Sequence, residues 1–341
     1  MIRTTIAYAA CLLFAAGLGG APAAAGQHGK VMWKRGMAPW QFGPARGRTA
    51  GATPGRTQSY NFTFFDYPMS SYTFAGVINP AATAHAKRFS VGQYAPAGSQ
   101  NTSNAMMVTL QSKKGAFVES FRQLLPGMQN VTAFGVNDSG AVVGTFRSGT
   151  YHGYLLKGGN TTQIDAPYNN VTGTSANDIN NAGTVVGAWF DGGPEVTHGF
   201  TWRAGKFTQV TDYPGATDVW PWSINSAGDL SGYLSDSAGV THGFLLHNGV
   251  YTLIDPPGSV YTIGEGVNDS GVVVGSYCLT IAACEEPVNG IHAFVYSGGS
   301  YTIVDIPMAL ETDVESIDNA GVLAGAYMDS NGFDHSFLIT P

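Results

Sequence analysis

The chain has 341 residues, 44% of them apolar, which is ample for the core of one large domain or two; glycine is abundant at 46 residues and charged residues are sparse at 11%. Frequent Tyr, Phe, Val and Thr, without Lys and Glu at helical spacing, favour an all-β chain with many turns. The net charge of -7 hides an asymmetry, because all sixteen Lys and Arg lie at or before Lys206 and sixteen of the twenty-three acids lie after it. Such a surface repels nucleic-acid phosphates and attracts cations or basic partners.

The N-terminus, "MIRTTIAYAACLLFAAGLGGAPAAAGQ", places one arginine before an apolar run and then small residues. This pattern predicts a secretory signal peptide over 1–25, with a retained anchor as the alternative. No later apolar run reaches the roughly 18 residues of a spanning helix, so stable membrane insertion is not expected. Residues 26–59 contain six basic residues from Lys30 to Arg56 and no acid. They read as a flexible Gly/Pro-rich lead-in that could mediate self-association by docking on acidic surface.

From residue 60 the chain repeats. "YNFTFFDYP" (60–68) has the character of a fourth strand with no unit before it, and "GVINP", "SVGQY" and "NAMMVTL" then form a decayed first unit. Five clearer units follow, marked by Asn137, Asn180, Asn225, Asn268 and Asp318 at spacings of 43, 45, 43 and 50. Each marker has a glycine three residues on and another four further. A histidine before an aromatic or small-aromatic pair comes next, at His152, His198, His242, His292 and His335. Four units then close on an Asp before proline: Asp165, Asp212, Asp255 and Asp305.

In the unit marked by Asn225, four strands fit "VWPWSIN", "DLSGYLS", "HGFLLHN" and "VYTLID". Four-stranded units of this length predict a β-propeller of six four-stranded blades. The chain stops after a third strand, "HSFLITP", so the N-terminal strand is expected to complete the C-terminal blade and close the ring.

These units resemble the HAF repeats of bacterial extracellular proteins, named for a His-Ala-Phe signature that is literal here only at His292. The resemblance covers about 60–341 and implies a periplasmic or extracellular setting. It implies nothing specific about activity, and a fold is not a function.

The Asn-to-Gly segments ("NDSG", "NNAG", "NSAG", "DNAG") read as type I turns between first and second strands. A nucleotide cradle is not supported, because no Gly-Lys-Ser/Thr or helix follows. The five histidines sit too far out to share an ion and read as local polar clasps, with the recurring Asp as a turn or strand-end acceptor. Cys278 and Cys284, in "CLTIAAC", read as a local disulfide; a zinc pair would lack further ligands.

Function is sought where the repeat varies. Three residues before each marker stand Phe134, Asn177, Trp222, Glu265 and Glu315, candidates for the mouth of a central channel. With Trp220 and Asp313 they could bind an extracellular glycan or protein ligand, rings stacking and carboxylates taking hydroxyls or cations. Such contacts are expected on the loop face of blades four to six. The alternative is a carbohydrate hydrolase using Glu265 and Glu315. No cofactor is implied beyond calcium at Asp329, Asn331 and Asp334, whose spacing lacks the full calcium loop.

Overall fold

The computed structural model describes residues 40–41, 59–65, 70–81, 88–96, 104–113, 116–128, 130–192, 196–285, 290–332 and 334–341. The expected signal peptide and nearly all of the basic lead-in lie outside the described residues.

The described chain is all-β apart from one short helix. After β1 (Trp40–Gln41) and β2 (Ser59–Phe65), strands come in meanders. The first unit holds β3 (Ser70–Ile78), β4 (Arg88–Pro96), β5 (Asn104–Lys113) and β6 (Ala116–Gln123). The second holds β7 (Val131–Val136), β8 (Val142–Ser148), β9 (Thr150–Lys157) and β10 (Asn160–Ile164). The third holds β11 (Val171–Ile179), β12 (Val185–Asp191), β13 (Val196–Arg203) and β14 (Lys206–Gln209). The fourth holds β15 (Ala216–Ile224), β16 (Leu230–Asp236), β17 (Thr241–His247) and β18 (Val250–Ile254). The fifth holds β19 (Tyr261–Val267), β20 (Val273–Cys278), β21 (Ile291–Ser297) and β22 (Ser300–Ile303). The last supplies β23 (Glu311–Ile317), β24 (Leu323–Met328) and β25 (Asp334–Thr340), and β2 pairs antiparallel with β25 from Asn61↔Thr340 to Phe65↔Ser336.

Pairing within each unit is antiparallel and sequential. Single parallel bridges, Gly173↔Tyr151 and Thr241↔Tyr261, join the second unit to the third and the fourth to the fifth into eight-stranded sheets. Neighbouring units bury their faces against each other. Val91, Ala105 and Met107 of the first unit pack with Val131, Val142 and Tyr154 of the second, and equivalent clusters follow along the chain. A further cluster joins Ile78, Met106 and Leu110 to Val322, Ala324 and Leu338, the first unit to the last.

The repeated residues explain this architecture. The aromatic two places after each histidine (Tyr154, Phe200, Phe244, Phe294, Phe337) is fully buried, so it is the core anchor of its sheet. Histidine Nδ1 pairs with the Asp that ends the fourth strand: His152 with Asp165 at 2.8 Å, His198 with Asp212 at 3.3 Å, His242 with Asp255 at 2.8 Å and His292 with Asp305 at 2.9 Å. The ring also lies beside a second-strand aromatic in several units, as in Trp189–His198 with centroids 4.4 Å apart. The Asp305 carboxylate raises the His292 pKa above its ordinary value.

The marker asparagine does two things at once. Its Oδ1 accepts amides of its own turn, Ser139 and Ala141 for Asn137, while the closing Gly140 takes a left-handed φ of 75° that favours glycine. Its Nδ2 reaches the next unit: Asn137 donates to the Asn180 carbonyl, Asn180 to Asn225, Asn225 to Asn268, and Asn268 to Asp318, over 3.0 to 3.4 Å. The turn is therefore also a lace between sheets, which the turn reading alone does not contain. At Asp318 the marker carries a carboxylate, and Oδ2 accepts Nε and Nη2 of fully buried Arg88 at 2.8 and 2.5 Å. That ion pair again ties the first unit to the last.

Cys278 and Cys284 form a disulfide with Cα atoms 5.7 Å apart. Cys284 itself sits in a helix not anticipated from the sequence, α1 (Ile281–Glu285), at whose start Thr280 Oγ1 accepts the Ala283 amide. No helix among the described residues is long and apolar enough to cross a membrane.

Candidate functional site

The variable position three residues before each marker has a structural cause. In every unit from the second on, the pairing of first and second strands slips by one residue there: between Ala133 and Gly135, Ala176 and Asp178, Pro221 and Ser223, Gly264 and Gly266, and Val314 and Ser316. Phe134, Asn177, Trp222, Glu265 and Glu315 are thus the extra residues of five β-bulges. A bulge leaves one residue outside the ladder and re-aims its side chain, so identity there is released from strand packing. The second repeated glycine enforces the feature. Gly232 faces the bulge of its unit, and a Cβ there would run into the Trp220 carbonyl oxygen.

Four of the five bulge residues converge. A small open cleft is lined by Phe134, Trp222, Glu265 and Glu315, with Asp178, Ser223 and Ser316 among the remaining contributors. Phe134 and Trp222 come from units that are not sequence neighbours, yet their ring centroids lie 5.7 Å apart. They meet because the intervening bulge residue is engaged elsewhere: Asn177 is buried, donates to the Pro221 carbonyl at 2.8 Å and accepts from Ser175 Oγ at 2.5 Å. In the first unit the equivalent place is Gly76, which leaves no side chain between its backbone and the Glu315 carboxylate.

The cleft has an aromatic part and an acidic part. Glu265, Asp313 and Glu315 offer carboxylate oxygens that all lie within 4.8 Å of one another. Glu265 is 7% exposed and Glu315 8%, and Ser276 Oγ donates to Glu265 at 2.8 Å. Burial first, and then the neighbouring acids, raise the pKa of Glu265 and Glu315 well above the usual carboxylate range. Burial also raises Asp313. Glu311, two residues before Asp313 on β23, is pushed up to about 7 by burial and by the charges of Asp313 and Asp334. Asp178 accepts from Ser223 Oγ and from the Ile224 and Ile179 amides, but burial outweighs these bonds and lifts it to about 6.

The other residues singled out from sequence lie elsewhere. Trp220 is buried against Phe190 and Tyr233, with centroids at 5.2 and 5.7 Å, and belongs to the core rather than to the cleft wall. In the Asp329–Asp334 turn the Asp329 carboxylate accepts the Asn331 amide at 2.8 Å and its Nδ2 at 3.2 Å, and His335 Nε2 lies 3.6 Å away. Burial pushes Asp334 up to about 6. The loop face of blades four to six, where contacts are expected from the sequence, is separate from this cleft, and residues 286–289 and 333 of its loops lie outside the described residues. The cleft is lined by first-strand residues near the marker turns, with none from the second-to-third-strand loops or the crossovers among its described lining. Asp178, Ser223 and Ser316 were missed, although all stand immediately after a bulge residue.

No family model and no curated protein matches the chain. Solved structures similar to it include the β-propeller domain of the Trilobed protease from Pyrococcus furiosus, described as having an open velcro topology. That pair has 10% identity and a TM-score of 0.42, covering 78% of this chain and 94% of the other. A triple arginine-to-alanine mutant of AofleA from Arthrobotrys oligospora is similar at 13% identity and a TM-score of 0.41, covering 87% and 86%. Dipeptidyl peptidase 4 of Porphyromonas gingivalis is similar at 12% identity and a TM-score of 0.34, covering 69% of this chain and 33% of that one.

Proposed function

We propose that this chain is a secreted, six-bladed β-propeller that acts as a binding module, taking its ligand in the cleft walled by Phe134, Trp222, Glu265 and Glu315. The ring reading is supported by the β2–β25 pairing, the core cluster shared by the first and last units, and the Arg88–Asp318 pair. A further tie across the same junction comes from Ser316, whose hydroxyl donates to the Gly76 carbonyl and accepts the Ile78 amide. The signal-peptide-like pattern of the N-terminal sequence and the disulfide support an exported, bacterial envelope or extracellular setting.

One observation carries the binding reading: bulge residues of separate units point into one cleft. Apart from its acids it offers two aromatic faces, the combination that stacks on a sugar ring and bonds its hydroxyls. An extracellular glycan is the ligand class this chemistry fits. The proximity of Glu265 to Glu315 favours a second reading, a carbohydrate hydrolase in which one carboxyl is the acid and the other the nucleophile.

Mature protein, residues 26–341, should be retained by at least one member of a panel of bacterial and plant polysaccharides. Retention should fall at least ~10-fold in Trp222→Ala, the loss of roughly 1.4 kcal/mol expected when one stacking face is removed. Retention without new reducing ends supports the binding module. Release of reducing ends that stops in both Glu265→Gln and Glu315→Gln would assign the hydrolase instead. Retention unchanged in Trp222→Ala would remove the cleft from the account.

A further inference from the structure

We propose that Glu265, Asp313 and Glu315 bind one hard divalent cation, with Ca²⁺ the best fit. This goes beyond the glycan reading and does not depend on it.

The three carboxylates come from neighbouring first strands, β19 and β23. β23 supplies Asp313 and, from its bulge, Glu315, beside the bulge of β19 that presents Glu265. Acids in proximity are common, but two observations set this group apart. Glu315 is more than nine-tenths buried, lines the cleft, and makes no hydrogen bond among the described residues. Asp313 Oδ1 is buried beside it with no hydrogen-bond partner. A buried carboxylate oxygen left so is costly unless something positive meets it.

Among the described residues, nothing nearby supplies that charge. No Lys or Arg follows Lys206, and Arg88, which reaches the last unit, is committed to Asp318. Without an ion, the three acids crowd one another in a buried place and are relieved only by taking up protons. With an ion, all three are neutralised together.

The donor set and its span select the metal class. Oxygen donors alone suit hard cations over zinc or copper. Three protein carboxylates gathered within 4.8 Å suit calcium, which takes six to eight oxygens in flexible geometry, better than magnesium, which keeps several waters and takes one or two carboxylates. Water and Ser276 Oγ, already beside Glu265, are available for the remaining places.

Thermal unfolding of mature protein, stripped with EDTA and then titrated with CaCl₂ or MgCl₂, tests this. A Ca²⁺ concentration about 100-fold above Kd should raise Tm by roughly 5 °C, with a smaller rise for Mg²⁺. Glu315→Gln should lose the Ca²⁺ shift yet melt no lower than wild type in EDTA, because it removes one of three crowded acids. Asp329→Asn, in the exposed turn that also carries acids, should keep the full shift. Tb³⁺ luminescence sensitised through tryptophan should appear on binding, be displaced by Ca²⁺, and fall in Trp222→Phe while the Tm shift persists. The proposal is overturned if wild type shows no Ca²⁺ shift, if Glu315→Gln retains it, or if Asp329→Asn abolishes it.

Discussion

Asp318→Asn should destabilise the protein by about 3 to 5 kcal/mol, although it restores the residue found at every other clear marker. Asp318 accepts two bonds from Arg88, and both side chains are fully buried. Removing the carboxylate leaves the guanidinium charge in the interior without it, and breaking one side of a buried pair costs that amount. The asparagine Nδ2 would moreover face a donor instead of an acceptor. The double variant Arg88→Met/Asp318→Asn should recover to within about 1 to 2 kcal/mol of wild type, since replacing a whole buried pair by apolar groups is often neutral. Urea unfolding of the three variants reads this directly. A neutral Asp318→Asn would mean that the first and last units are not held through this pair.

Gly232→Ala, a one-methyl change inside a strand, should cost about 3 kcal/mol or more. Ordinarily such a change favours the folded state through chain entropy, but here the added carbon meets the Trp220 backbone oxygen and the Pro221 Cα. Backbone atoms cannot step aside as a side chain can, so the bulge must open or the strands must separate. Gly299→Ala, at a tight turn where a Cβ meets nothing within 4 Å but φ is 87°, provides the contrast. Its cost should stay near 1 kcal/mol, the ordinary strain of a left-handed residue. If the two variants melt together, close approach of backbone is not what the repeated glycine protects.

Much of the strand order was legible in the sequence. The four segments read in the unit of Asn225 coincide with β15, β16, β17 and β18 to within a few residues, because alternation and turn residues are local signals. The histidine and the Asp before proline were each read as local polar groups. Their union was not legible, since it requires knowing that the third and fourth strands bring residues thirteen or fourteen positions apart together.

Register and lacing stayed hidden for the same reason. A bulge is a property of two paired strands, and no single strand displays it. Yet a signal was present: one position varies among Phe, Asn, Trp and Glu inside an otherwise repeated segment, while the glycine ten residues on never varies in the five clear units. Arg88 escaped notice because the first unit has diverged, so its partner at Asp318, 230 residues away, could not be aligned to it. Trp220 was drawn into the candidate site by nearness to Trp222, and Asn177 by its equivalent place three residues before its marker. The strand alternation puts Trp220 in the core, and the Asn177 amide is consumed by the Pro221 carbonyl.

The central claim is that bulge residues of separate units face one ligand cleft. It is tested most directly by a double-mutant cycle, measuring Kd for the best-retained polysaccharide in wild type, Trp222→Ala, Glu315→Gln and the double variant. Side chains that grip one ligand from opposite parts of a single cleft should couple by more than about 0.5 kcal/mol. Strictly additive losses, or no retained polysaccharide at all, would contradict the claim.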